Sequence, residues 1–426
     1  MSGYHKTVFD NGLTLVSERF PSRVASLGLW INAGSRDDEV LGSAHFVEHL
    51  LFKGTASRDA RRIARDLDRL GGQSNAFTTK EQTCLYGTVR DLELPRLIEL
   101  LVDLLLNSQF PEEETERERQ VVLQEIGMAL DTPEDRIHDL FAEMLWAGHP
   151  LAWPVLGESS TVAGMTAAQL HGFRAGNYLP SRLVVSAAGN VEHRALVAML
   201  AGLAAWVPAA AAPPPVRPRA TPSPQPARIK VHPKRLEQTH LLLGVPGPPA
   251  HTERRYVLAL LNTVLGGNMS SRLFQEVREK RGLAYSIYSF ADGLSDAGML
   301  GIYAGVGHES VPRMRGLIEE VISGICRGGI SEDELRGALE FAKAGVVLAE
   351  ESAEARMMRL ARNELTLGRH VPLEEVEAGL ERVRTEEVGE LAASLFAAPL
   401  TGVILGPVRK DDCQPDEGLL SGDEDD

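Results

Sequence analysis

The chain has 426 residues, 43% of them apolar, and a net charge of −15 from 44 basic and 59 acidic side chains. That length holds two or three domains with sizeable cores, and the acidic balance argues against a nucleic-acid-binding face. The three cysteines, Cys84, Cys326 and Cys413, are far apart and odd in number, so neither a disulfide framework nor a thiolate zinc site is indicated; a reducing compartment, and with it a cytoplasmic location, is expected.

In chain order, the N-terminal "MSGYHKTVFDNGLTLVSERF" lacks a basic segment followed by an apolar one, so no secretory signal is expected. No uncharged apolar run reaches the ~18 residues of a membrane span. "RVASLGLWINAGS" reads as a strand. "SAHFVEHLLFKG", Ser43 to Gly54, predicts a helix stopped by Gly54. At about 100° per residue, His45, Glu48, His49 and Phe52 share one stripe, while Phe46, Val47, Leu50 and Leu51 make the rest apolar. Such a helix should be buried, and each unpaired polar group on it would cost about 1–3 kcal/mol. Two imidazoles four residues apart converge as zinc ligands do; a buried imidazole donating to a backbone carbonyl is the plain alternative. With Glu48 between them the spelling is H-x-x-E-H, the inverzincin order.

A second helix, "ARRIARDLDRLGG", and two strands, "SNAFTTKE" and "QTCLYGTVRD", follow. "PEEETERERQVVLQEIGMALDTPED" predicts a long helix ended by Asp131-Thr132-Pro133. Glu112 to Glu114 suit a helix start, where the macrodipole favours acids. Glu118, Val122 and Glu125 share a stripe, and Glu125 sits in the apolar end of the run, unusual for a carboxylate. A catalytic zinc takes three protein ligands and keeps one open position; Glu125 is a candidate third ligand. "ALVAMLAGLAAWVPAAAA" reads as the last helix of a domain, and the proline-rich stretch after it cannot build a core.

Beyond it the plan repeats. Strand "QTHLLLGVPGPP", helices "RRYVLALLNTVLGG" and "SSRLFQEVREKRG", and strands "LAYSIYSFADG" and "AGMLGIYAGVG" mirror the first half. The fold class expected is α+β: two homologous-looking α/β units, each an antiparallel sheet packed with helices. The helix corresponding to the histidine helix carries Val257, Leu258, Leu260 and Leu261 and no histidine, so one copy would hold a metal and the other keep the scaffold. The expected organisation is a zinc-binding domain over 1–207, a Pro-rich linker over 208–227, a second domain of similar fold over 228–412 and an acidic disordered tail over 413–426.

Taken together, H-x-x-E-H at His45–His49 and "ERQVVLQEI" at Glu118–Ile126 resemble the insulinase/pitrilysin family of zinc peptidases, and within it the short-chain branch of the mitochondrial processing peptidase beta-subunit and its bacterial relatives. "GSRDDEVLGSAHFVEHLLFKGT", "GGQSNAFTTKEQTCLYG", "NYLPSRLVVSAAGNV" and "LGGNMSSRLFQEVREKRGLAYS" look like further blocks of that branch, in the right order. The resemblance implies a zinc metalloendopeptidase (EC 3.4.24 type) with one Zn2+ per chain. His45, His49 and Glu125 would be the ligands, Glu48 the general base that activates water at the metal, and Glu118 a supporting carboxylate. It further implies that Asn75, Ala76 and Phe77 lie on an edge strand that pairs with extended substrate. Arg278 and Tyr285 would donate to the substrate carbonyl or oxyanion. In the family such units close as a clamshell, so a homodimer, or a heterodimer with a related subunit, is expected, acting on peptides or unfolded segments. The alternative is a non-catalytic assembly subunit of the same fold, which would be expected to lack ligands or base.

Overall fold

The structure, a computed structural model, describes residues 3–207, 221–223 and 225–409. The expected linker over 208–227 lies mostly outside the described residues, and the acidic tail over 413–426, with Cys413, lies entirely outside them. The chain divides into two compact units, each discontinuous in sequence: Met1–Met128, Trp153–Pro218 and Leu348–Val371 form one, and Ala129–Ala152, Arg219–Val347 and Pro372–Asp426 the other.

The first unit holds a six-stranded sheet of β1 (Tyr4–Val8), β2 (Thr14–Arg19), β3 (Val24–Ile31), β4 (Gln73–Thr78), β5 (Thr83–Arg90) and β6 (Leu183–Gly189), in the order β1-β2-β6-β3-β5-β4. Neighbours run antiparallel except β2 and β6, which are parallel. Alternation along β3 divides its side chains between two faces. Ala25, Leu27, Leu29 and Ile31 join the core built with α1 (Ser43–Leu51), α2 (Ala60–Leu70) and α3 (Leu94–Asn107). Trp30 faces the other way, into a smaller cluster with Met357, Leu360 and Ala361 of the helix Ala353–Leu367. That helix packs so close that a Cβ on Gly28 would stand 2.7 Å from the Met357 sulfur. The next helix after α3, α4 (Glu112–Asp131), is long and largely solvated, with Glu118, Val122 and Ile126 turned inward.

The second unit's sheet contains β7 (Ile229–Pro233), β8 (Thr239–Gly247), β9 (Ala284–Gly293), β10 (Gly298–Val306) and β11 (Thr401–Gly406), in the order β7-β11-β8-β10-β9. Replacing β2–β6 by β7–β11 reproduces the first sheet's order and directions, including the single parallel pair, β7 with β11. One face carries Leu241, Leu243, Leu300 and Ile302 against Leu260, Leu261, Met314 and Ile318. The other carries Leu242, Tyr303, Val403 and Leu405 against Ile137, Phe141 and Leu145 of α5 (Pro133–Leu145).

The compact units therefore differ from the contiguous blocks 1–207 and 228–412. A sheet with apolar residues on both faces needs helices on both, and here the second face of each sheet is covered by a helix from the other half of the sequence, Ala353–Leu367 on the first and α5 on the second. Two local expectations are also corrected. The histidine helix stops at Leu51, where Phe52 leaves helical dihedrals, rather than at Gly54. "SSRLFQEVREKRG" forms a π-helical turn at Phe274–Glu279 in place of a plain α-helix. Among the described residues no helix is long and apolar enough to cross a membrane.

Candidate metal centre

The site is built on α1. The residue before the helix, Gly42, has φ +92°, a left-handed conformation that favours glycine. Asp38 ties down the exposed helix start: its Oδ2 accepts from the Gly42 N–H at 2.8 Å and its Oδ1 from the Ala44 N–H at 2.9 Å. Burial pushes the Asp38 carboxyl up to about 7, against the pull of those donors. From this anchored start, Phe46, Val47, Leu50 and Leu51 sink into the core, which leaves His45, Glu48 and His49 facing a cavity of about 620 Å³.

Three side chains converge there. His45 Nε2 and His49 Nε2 are 3.3 Å apart. Glu125 Oε2, from α4, stands 3.6 Å from the first and 3.4 Å from the second. Bonds of about 2.0–2.2 Å to a tetrahedral ion require ligand–ligand edges of about 3.3–3.6 Å. The three atoms thus form one face of a tetrahedron of zinc size, and they are the only group of three or more metal-ligating residues of this kind among the described residues. Burial, reinforced by the neighbouring His49 ring, pushes His45 down to about 3, so its ring is neutral and can act as a ligand. His49 Nδ1–H donates to Glu118 Oε2 at 3.0 Å, which fixes the tautomer that leaves the Nε2 lone pair for a metal. The other Glu118 oxygen is ion-paired with Lys53 Nζ at 2.7 Å. The set of two imidazoles and one carboxylate, with a carboxylate behind one imidazole, fits zinc.

Glu48 is buried beside this set but is not one of the three converging groups. The Thr78 hydroxyl donates to its Oε2 at 2.6 Å. Burial raises its proton affinity, and the Thr78 hydrogen bond and the His49 ring partly offset the rise. A carboxylate so placed can take up a proton from a reacting group and give it back.

The remaining predicted residues fall in two places. Asn75, Ala76 and Phe77 lie on β4, the edge strand of the first sheet, and line the same cavity. Asn75 Oδ1 accepts from the Ala76 N–H at 2.9 Å, and the Phe77 ring packs edge-on against Trp30 and Tyr86. The Phe77 side chain therefore serves packing. Arg278 and Tyr285 sit together in the second unit. The guanidinium lies 4.6 Å from the Tyr285 ring centroid, and Nη1 donates to the Tyr285 carbonyl at 3.1 Å. Tyr285 is 80% exposed. Two contacts were missed from sequence. Lys53 lies four residues after His49, a spacing that hints at a shared stripe, yet it stands beyond the end of α1. Thr78 alternates in phase with Ser74 and Ala76, which places it on their face but not on Glu48.

Residues 14–159 match the family described as Insulinase (Peptidase family M16), and residues 164–340 match the Peptidase M16 inactive domain. The second stretch contains none of the converging residues. A zinc protease of Mycobacterium leprae, described as uncharacterized, is 40% identical over 95% of this chain and 92% of its own length. One of Bacillus subtilis, described likewise, is 38% identical over 93% of this chain and 97% of its own length. Among solved structures, a protease from Helicobacter pylori matches with a TM-score of 0.88 at 22% identity, covering 96% of this chain and 100% of that one. A peptidase M16 inactive domain from Pseudomonas fluorescens matches at 0.88 and 21%, covering 95% and 98%.

Proposed function

This chain belongs to the insulinase family of peptidases, M16, and from that premise we propose that it is a zinc-dependent metalloendopeptidase acting on extended peptides or unfolded segments. One observation carries the proposal: His45, His49 and Glu125 stand at tetrahedral spacing with Glu48 beside them and free of the set. Among the described residues no fourth ligand residue, the mark of a structural zinc, joins the cluster.

His45, His49 and Glu125 would hold the metal, which when bound supplies Lewis acidity for the scissile carbonyl and for water. Glu48 takes a proton from the attacking water at the carboxylate oxygen not held by Thr78, and returns it to the nitrogen of the leaving amine. Thr78 keeps that carboxylate aimed. The outer edge of β4 pairs with substrate backbone, so affinity comes from main-chain hydrogen bonds rather than side-chain identity. Pairing at Ala76 displaces the Asn75 side chain from the Ala76 N–H. Arg278 and Tyr285 are donors suited to substrate, and a second copy of the chain or a related subunit is the partner.

The test is turnover of a fluorogenic peptide alongside metal analysis. Glu48→Gln should keep zinc and lose roughly 10²–10⁴-fold in rate. Normal turnover in that variant refutes its role as base. A wild-type protein without stoichiometric zinc or chelator-sensitive cleavage would support the scaffold alternative.

A further inference from the structure

Glu118 is a buried carboxylate whose two oxygens are divided between two partners. Oε2 accepts from His49 Nδ1–H at 3.0 Å, and Oε1 is ion-paired with Lys53 Nζ at 2.7 Å. Its side chain is 7% exposed and that of Lys53 28%, so the pair is largely shielded from solvent. Lys53 stands just past the C-terminal end of α1 and reaches across to α4. Its backbone N–H bonds Leu50 O at 3.1 Å, which ties its position to the histidine helix.

We infer that Lys53 is a positioning residue of the metal centre: it clamps Glu118 so that the carboxylate holds His49 in the ligating tautomer and orientation. The inference rests on the zinc reading of the site. A glutamate side chain has three rotatable bonds, and one hydrogen bond to an imidazole leaves the carboxylate free to pivot about it. An ion pair to the opposite oxygen, largely shielded from solvent, restrains that pivot. The ring it orients is then fixed at both nitrogens when metal is bound. Charge points the same way. Glu48 and Glu125 beside the metal position and Glu118 behind His49 would surround one divalent cation with three carboxylates, and the Lys53 ammonium offsets the negative charge left over. Lys53 also joins the two helices that carry the ligands, so it fixes the distance between the imidazole pair on α1 and the carboxylate on α4.

Partners of metal-bound histidines typically contribute 10–100-fold in metal affinity. Removing the clamp should forfeit part of that. Zinc affinity, measured by competition with a chromogenic chelator, is expected to fall about 10-fold in Lys53→Met, and Lys53→Arg should restore most of it. In a Glu118→Gln background, Lys53→Met should add less than about twofold, because the clamp acts only through Glu118. Affinity within twofold of wild type in Lys53→Met, or a loss that simply adds to that of Glu118→Gln, overturns the inference while leaving the zinc site in place. A raised KM with unchanged zinc affinity also overturns it, since that pattern assigns Lys53 to substrate. Wild-type protein that binds no zinc defeats the reading of the site itself, and this inference with it.

Discussion

The two units share one strand order and one set of directions, yet treat corresponding elements in opposite ways. In the first, the helix after the central strand brings His45, Glu48 and His49 to a cavity, and the long α4 adds Glu118 and Glu125. In the second, the helix Arg254–Asn262 buries Tyr256, Leu258, Leu260 and Leu261, and the long helix Glu332–Ala349 buries Leu335 and Ala338. The apolar version shows that the architecture does not need the polar set. Burying charged and polar groups costs free energy unless they are paired, so the first unit accepts a burden that the fold does not require. That is the pattern expected where stability yields to chemistry, and it sets the candidate metal centre in the first unit.

The sharpest way to break the comparison is to convert the first unit toward the second. His49→Ala should bring zinc from near one per chain toward zero and abolish peptide turnover, with circular dichroism unchanged; retained zinc on elemental analysis would separate the metal from α1. The converse change acts on the scaffold. Leu260 is fully buried, and Leu260→Ala should cost about 2–5 kcal/mol of stability in denaturant unfolding while zinc content per folded chain stays the same. A loss of zinc without a loss of stability would contradict the division of labour.

The smallest effect concerns acid. Arg272 donates to both oxygens of Glu334 at 2.6 and 2.9 Å, and this holds the Glu334 carboxyl down at about 2, below the ordinary 4.5. A carboxyl lowered in the folded state contributes stability that is present above 4.5 and lost as pH falls through the folded value near 2. The pair is partly exposed, so its contribution is about 1 kcal/mol or less. Wild-type melting temperature should therefore fall more steeply than that of Glu334→Gln between pH 5 and pH 2.5, and parallel curves would remove the pair from the second unit's stability.

Much of the candidate site was legible because it is written in short-range spacing. His45, Glu48 and His49 share a stripe by helical geometry alone, and so do Glu118 and Glu125. Meeting of the two stripes was implied by family resemblance, since no local rule relates α1 to α4. Lys53 escaped notice because it lies past the helix end, where helical spacing no longer says where a side chain points. The edge position of β4, too, was implied by the resemblance alone, since no local rule gives the sheet order. The π-turn at Phe274–Glu279 was hidden because its apolar pattern matches an α-helix over so short a run.

Periodicity, caps and residue chemistry, then, sufficed to outline most of the elements, the acidic charge balance and the residues able to bind a metal, because those properties act within a few residues of chain. Which strands pair, which helix covers the second face of each sheet, and how the Glu118 oxygens are shared between His49 and Lys53 were decided only by the tertiary structure. Those contacts join residues far apart in the chain, and their geometry follows from packing whole apolar surfaces together rather than from any local preference.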